Sequence, residues 1–145
     1  MSLHQRLQQR AAENKPVRIG LIGAGKFGSM YLAQIPRTPG VQLVAIADLS
    51  PDAARANLGR VGWQPARAAA RSLQEALREG TTWITEDWQA VTRAPSIDIV
   101  VECTGNPVAA VEHCLDAFAH GKHVVNVTVE ADAFCGPLLA RRAQQ

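Results

Sequence analysis

A chain of 145 residues, 47% of them hydrophobic and with a formal net charge of +2, has the size and composition of one globular domain. Without a cluster of Lys and Arg interleaved with aromatics it lacks the footprint of a nucleic-acid binder, and no apolar run reaches the ~20 residues of a membrane span. Its three cysteines, Cys103, Cys114 and Cys135, lack metal-ligand spacing, which suits a reducing cytoplasm better than a disulfide framework, and MSLHQRLQQRAAENK has no signal-peptide core.

Residues 2–13 read as a short helix, with Leu3, Leu7 and Ala11 four apart, stopped by Asn14, Lys15 and Pro16. This helix (1–15) stands apart from the domain proper (16–145). VRIGLIG (17–23) is a continuous apolar run, the pattern of a strand buried on both faces. Phe27, Tyr31 and Ile35 then recur at helical spacing and suggest a core face, until Pro36 and the turn at 38–40 end the helix. VQLVAIAD (41–48) is a second buried strand, and Ser50-Pro51 caps a helix running to about Gly59.

Residues 61–80 are harder to read, but SLQEALREG has capping-box spacing (Ser72, Glu75) and a glycine stop. TTWIT (81–85) is a short strand, and EDWQAVTRA makes one or two helical turns. IDIVVECTG (97–105) is a further buried strand. Asn106-Pro107 starts a helix to His120-Gly121, KHVVNVTV (122–129) is the next strand, and the last helix breaks or kinks at Gly136-Pro137. Strands alternating with helices define an α/β fold, a doubly wound parallel sheet of the Rossmann type.

GAGKFG (23–28) follows the first strand and opens a helix, and Asp48 lies 20 residues beyond Gly28 at the end of the second strand. That combination is the fingerprint of a dinucleotide site. Gly23 makes the tight turn, Gly25 lets a diphosphate approach the backbone, and Gly28 lets the helix lie close to the strand. The free N–H groups around Ala24, Lys26 and Phe27 face the anion with the helix dipole behind them. The Asp48 carboxylate, with Leu49 beside it, accepts hydrogen bonds from the adenosine ribose. The Lys26 side chain reads equally as a phosphate contact or a solvated one, and the Phe27 ring reads as core. CTGNP (103–107) lies at the carboxyl end of a parallel strand, where open α/β sheets bind ligands. Thr104 and Gly105 are therefore expected to line the cofactor, with Asn106 as helix cap.

Other candidates are weaker. Glu102 reads equally as a structural hydrogen-bonding residue or a chemical one. Glu130 and Asp132 read as helix caps rather than a proton or metal pair. His113, His120 and His123 straddle a helix and a strand and take surface or structural roles, so no metal site is expected. Trp63, Trp83 and Trp88 read as packing residues.

RIGLIGAGKFG, the strand ending AIADLSPDAAR, DIVVECTGNP and GKHVVNVTVEADAFCGPLLARRA together resemble the homoserine-dehydrogenase-like NAD(P)-dependent oxidoreductases, from about Pro16 to Arg142. They are most similar to a branch holding 1-deoxy-D-xylulose 5-phosphate reductoisomerase-like and SAF-domain proteins. The resemblance implies an oxidoreductase that moves hydride between NAD or NADP and a small hydroxy or carbonyl compound, phosphorylated or not. Gly23, Gly25 and Gly28 would hold the diphosphate, Asp48 the ribose, and Thr104-Gly105 the nicotinamide side. Where homoserine dehydrogenases carry a threonine-alanine-asparagine-lysine pattern, this chain has Asn126-Val127-Thr128-Val129, and the lysine is Val129. Sugar oxidoreductases of the glucose-fructose oxidoreductase type are similar in the first half, and their lysine is also missing. Family members continue for a few hundred residues with substrate and oligomerisation regions, so these 145 residues are expected to hold a cofactor and turn over no substrate. The alternative from another class is a dinucleotide-sensing module without turnover.

Overall fold

Each strand of the single sheet runs parallel to its neighbours, in the order β3-β2-β1-β4-β5. The computed structural model describes residues 1–145. The strands are β1 (Val17–Ile22), β2 (Val41–Ala47), β3 (Trp83–Thr85), β4 (Ile99–Glu102) and β5 (His123–Asn126). Seven helices accompany them: α1 (Leu3–Ala12), α2 (Lys26–Gln34), α3 (Pro51–Arg60), α4 (Leu73–Glu79), α5 (Trp88–Thr92), α6 (Pro107–Ala119) and α7 (Val129–Ala143). Chain order reverses beside β1, so beyond the ends of β1 and β4 the chain leaves toward opposite faces of the sheet and a crevice opens there, the place where such sheets take ligands.

Two cores flank the sheet, as a doubly wound arrangement requires. Leu21, Leu32, Ile46, Leu58 and Trp63 belong to one, and Val44, Val91, Ile97, Val100 and Ala117 to the other. Adjacent positions of one strand, Leu21 and Ile22, fall in opposite cores, which is why β1 and β2 read as unbroken apolar runs. Each fully buried Leu, Ile or Val stabilises the fold by about 1.5–3 kcal/mol relative to exposure. Trp63 adds a directed contact, its Nε1 donating to the Leu32 carbonyl at 2.8 Å and tying the segment after α3 to α2.

Helices α3, α4 and α6 start at the caps legible in the chain, Ser50, Ser72 and Asn106, and Asp87 caps α5 as well; each accepts from a backbone N–H of the following turn. Gly80 ends α4 in the left-handed region, at φ +69. Ser2 and Gln5 form a reciprocal capping box on α1, but no residue of that helix is buried, so Leu3, Leu7 and Ala11 make no core face.

Three expectations need correction. Phe27 is not a core residue; its side chain is 61% exposed, and α2 buries Gly28 and Leu32 instead. A Cβ on Gly28 would lie 2.7 Å from the Gly23 carbonyl oxygen. That close approach turns position 28 toward the sheet and position 27 away from it. Secondly, two strands are shorter than read: β4 spans Ile99–Glu102 within 97–105, and β5 ends at Asn126, not 129, as Thr128 turns to the end of β4 and α7 starts at Val129. Thirdly, the kink in α7 falls at Cys135 (φ −146, ψ 22), just before Gly136-Pro137, where Pro137 has no N–H for the helix ladder.

Gly20 packs α5 against β1. A Cβ there would overlap Val91 Cγ1 and lie 3.1 Å from Ile97 Cδ1. Gly20→Ala should therefore cost about 1–3 kcal/mol through overpacking. Urea unfolding checks it, with a lowered midpoint at unchanged slope.

Candidate functional site

The turn after β1 is shaped by what its glycines leave out. Gly23 has φ +91, and a Cβ there would lie 2.8 Å from the backbone of Cys103 and Thr104. Only glycine fits, since the ends of β1 and β4 touch backbone to backbone. Gly25, the N-cap of α2, has an ordinary extended φ of −79 and nothing within 4 Å of its would-be Cβ. Gly23 and Gly28 therefore meet the protein's own backbone, whereas Gly25 faces open space. In α2 the first helical bond is Ser29 N–H to the Gly25 carbonyl, 2.9 Å. The N–H groups of Lys26, Phe27 and Gly28 make no hydrogen bond within the protein, so this end of α2 offers free donors and a positive dipole.

The Ala24 peptide in that turn is held from both sides. Asp48 Oδ2 accepts from Ala24 N–H at 2.9 Å, and Asn57 Nδ2 donates to the Ala24 carbonyl at 2.8 Å. Asp48 Oδ1 accepts from Ser50 N–H at 2.9 Å. Asp48 thus sits where the sequence spacing put it, at the end of β2 and facing the turn. Each of its oxygens keeps acceptor capacity beyond the backbone bond. Asn57 was not foreseen; a polar residue on α3 one turn from the buried Ala54 and next to the buried Leu58 was the available signal.

A cleft of about 490 Å³ opens at this edge. Gly23 and Gly25 form one side and Asp48 and Leu49 another, while Thr104 and Asn106 border it from the turn between β4 and α6. Leu49 is largely exposed at the rim. Ala24 is buried inside the turn, and Lys26, Phe27 and Gly105 are exposed around it. Sequence reasoning missed Glu86, Trp88, Glu112 and His113, which also line the cleft. Trp88, read as packing, stacks at a tilt on His113 with centroids 4.6 Å apart. They come from the segment after β3, from α5 and from α6, so no spacing in the sequence linked them to the glycine turn.

Below the cleft lies Glu102, 0% exposed. Its Oε1 accepts from Thr104 Oγ1 at 2.6 Å and from His113 Nδ1 at 3.1 Å, and Oε2 accepts from Thr128 Oγ1. An ionised carboxylate only accepts, so the proton of the histidine bond sits on Nδ1. Burial by itself raises the Glu102 carboxyl, yet the hydrogen bonds from His113, Thr104 and Thr128 and the His113 charge together hold it below its ordinary value. Burial, then the Glu102 charge, raises the Cys103 thiol, and burial with the charges of Glu102 and Asp132 pushes Cys114 up to about 12. Neither thiol is a nucleophile at neutral pH.

The remaining candidates lie elsewhere. Glu130 and Asp132 occupy the first turn of α7, and Asp132 Oδ1 accepts from Asn126 Nδ2 at 2.9 Å. His120 Nδ1 lies 2.7 Å from the Asp116 carbonyl, and His123 starts β5. No three His, Cys, Asp or Glu side chains converge on a metal-sized point.

A parallel sheet in this order, with a glycine turn and an acidic second strand at its carboxyl edge, is a dinucleotide-binding domain of the Rossmann type. The comparisons with known proteins agree. Residues 23–135 match the family described as "Homoserine dehydrogenase, NAD binding domain", and the chain belongs to it. It is 34% identical over 131 residues to the homoserine dehydrogenase of Pseudomonas aeruginosa, covering 90% of this chain and 27% of that one. Among solved structures, a homoserine dehydrogenase from Thiobacillus denitrificans superposes with TM-score 0.69 at 27% identity, over 90% of this chain and 27% of that one. A biliverdin reductase from Synechocystis, solved with biliverdin and NADP+, reaches 0.57 at 25%, over 89% and 35%. The chain thus spans about a quarter of the length of the homoserine dehydrogenases it resembles.

The lowered pKa of Glu102 has a testable sign. Its folded value lies below the ordinary 4.5, so its stabilisation is complete above that pH and is lost as pH falls through the folded value. Glu102→Gln should be less stable than wild type at pH 7, and the gap should narrow as pH falls below 4.5 and through the lower folded value. Urea midpoints measured from pH 3 to 7 check this, and parallel curves would contradict it.

Proposed function

We propose that this chain is the cofactor domain of an NAD-dependent oxidoreductase that acts on a small hydroxy or carbonyl compound. One observation carries the reading. Space at Gly25 is open beside the unpaired N–H groups of α2, a cradle that a side chain would fill and that fits a diphosphate. Around it, Gly23, Ala24, Gly25, Lys26, Phe27 and Gly28 would hold the diphosphate through their backbone. Asp48 and Leu49 would take the adenosine ribose, and Thr104 and Gly105 the nicotinamide half. Bound there, the nicotinamide supplies hydride exchange; the chain binds it, orients it and keeps its diphosphate charge matched.

The domain would work in the cytoplasm on a small-molecule substrate, and the intact protein would be a homo-oligomer. No helix is long and apolar enough to cross a membrane.

The cleft favours NAD over NADP. It is bordered by three carboxylates, Asp48, Glu86 and Glu112, and by no Lys or Arg. Arg55, near enough in sequence to receive a 2′-phosphate, donates instead to the Ala68 carbonyl at 3.0 Å and lines a separate hollow beside Trp63. Ser50 Oγ caps α3 by accepting from Ala53 N–H. A phosphate about 4 Å from the Asp48 carboxylate would be repelled by up to ~4 kcal/mol per unit charge at an effective dielectric of 20. Even a third of that is about tenfold in affinity.

The deciding experiment is Gly25→Val. Because φ at this position is ordinary and no protein atom is near, the variant should fold with an unchanged circular dichroism spectrum. Calorimetric NAD binding should nevertheless fall by at least about tenfold, as a Cβ and two methyls fill the diphosphate's place. A folded variant with full affinity would reduce the motif to a turn. Titrating wild type with both cofactors tests the charge reading: NAD should bind at least about tenfold more tightly, and equal affinities would reject it.

A further inference from the structure

The β4–α6 turn has an unusual hydrogen-bond polarity, and its source is Glu102. Three consecutive backbone N–H groups of the turn point inward. Thr104 N–H reaches Glu102 Oε1 at 3.4 Å, Gly105 N–H donates to Thr128 Oγ1 at 3.0 Å, and Asn106 N–H donates to Thr104 Oγ1 at 3.2 Å. Both hydroxyls in turn donate to Glu102, Thr104 to Oε1 and Thr128 to Oε2. A carboxylate has no proton to give, so both hydroxyl protons must face it and both hydroxyl oxygens are left to accept from the turn. The charge thereby fixes the direction of the whole chain of bonds. Meanwhile the carbonyls of Thr104 and Gly105 accept no hydrogen bond in the protein.

We propose that Glu102 is a positioning residue that turns this side of the cleft into an acceptor surface, made for the hydroxyls or amide N–H of the nicotinamide-ribose half of the ligand and not for phosphate. This rests on the dinucleotide reading above and deepens it. The two sides of the crevice then differ in kind. At α2 the free groups are N–H donors, suited to an anion; at Thr104, which lines the cleft, and at Gly105, exposed beside it, they are carbonyl acceptors, suited to neutral donors. His113 supports the arrangement from the cleft side. It holds Oε1 through Nδ1 and is braced by Trp88, so one buried carboxylate links α6, the β4–α6 turn and the β5–α7 turn.

Replacing Glu102 by Gln leaves the shape and removes the one-way polarity. With the amide nitrogen at the Oε2 position it meets the Thr128 hydroxyl donor to donor, and that hydroxyl must turn and leave its proton unpaired at a site 2% exposed. With the amide the other way round it opposes the Thr104 hydroxyl and His113 Nδ1–H. Either way, the N–H of Gly105 or Asn106 loses a well-directed acceptor.

The test is calorimetric titration of wild type and Glu102→Gln with NAD and with ADP, which carries the adenosine and diphosphate but no nicotinamide riboside. NAD affinity should fall about tenfold in the variant, while ADP affinity stays within about twofold. General destabilisation would lower both together, and that outcome overturns the proposal, as does unchanged NAD affinity. If Glu102→Gln does not fold, Thr128→Val and Thr128→Ser probe the same hydrogen-bond chain. The valine should lose NAD affinity selectively and the serine, which keeps the hydroxyl, should recover it; equal behaviour of the two overturns the proposal. A wild-type chain that binds neither ADP nor NAD would instead remove the dinucleotide reading itself, and this assignment with it.

Discussion

The backbone contact between Gly23 and the Cys103–Thr104 peptide is the constraint from which the rest of the edge follows. Two adjacent parallel strands normally hold their ends about 4.8 Å apart and let the loops diverge. Here the turn after β1 crosses onto the end of β4 so closely that a Cβ on Gly23 would sit 2.8 Å from its backbone. That contact fixes where α2 begins, because Gly28 must then lie against the Gly23 carbonyl. It also fixes where the β4 turn stands relative to α2, and so the width of the crevice between them.

Such a close crossing needs support, since a turn of three small residues has few side chains to anchor it. Asp48 and Asn57 supply it from one side by holding both ends of the Ala24 peptide. Glu102 supplies it from the other by holding the turn at 104–106. Both anchors use carboxylates, and both carboxylates bind backbone N–H groups. Asp48 lies at the cleft surface and keeps capacity for a ligand. Glu102 is fully buried, and every partner it has is protein. A buried charge of this kind is tolerated because it is met by several donors, and removing one partner would leave the others stranded.

How much of this could be read beforehand depended on whether the signal was local. The buried strands, the caps at Ser50, Ser72 and Asn106, and the glycine fingerprint with Asp48 all depend on residues within one element or one unit, and each took its expected place in the fold. Phe27 failed because helical spacing shows a stripe without showing which way it faces; the approach of Gly28 to Gly23 decided that. The end of β5 was misplaced because VNVTV has strand propensity throughout, whereas Thr128 is held in a turn by its bonds to Glu102, Gly105 and Asn126. Glu86, Trp88, Glu112 and His113 come to the cleft from separate elements, so no spacing linked them. Glu102 looked like an ordinary strand-end acid, since its partners lie 2, 11 and 26 positions away.

The three glycines of the fingerprint therefore carry two different kinds of meaning. Gly23 and Gly28 are required by contacts inside the fold, and any domain with this crossing would need them whether or not it bound anything. Gly25 is required by nothing within the protein. Its φ suits any residue, and its surroundings would admit a side chain. Glycine at a position where the fold makes no demand costs up to ~1 kcal/mol relative to alanine through the freedom it gives the unfolded chain. A residue that the fold does not need, and that costs it stability, is explained by what must approach from outside. It is the emptiness at Gly25, more than the count of glycines, that separates a ligand seat from a tight turn.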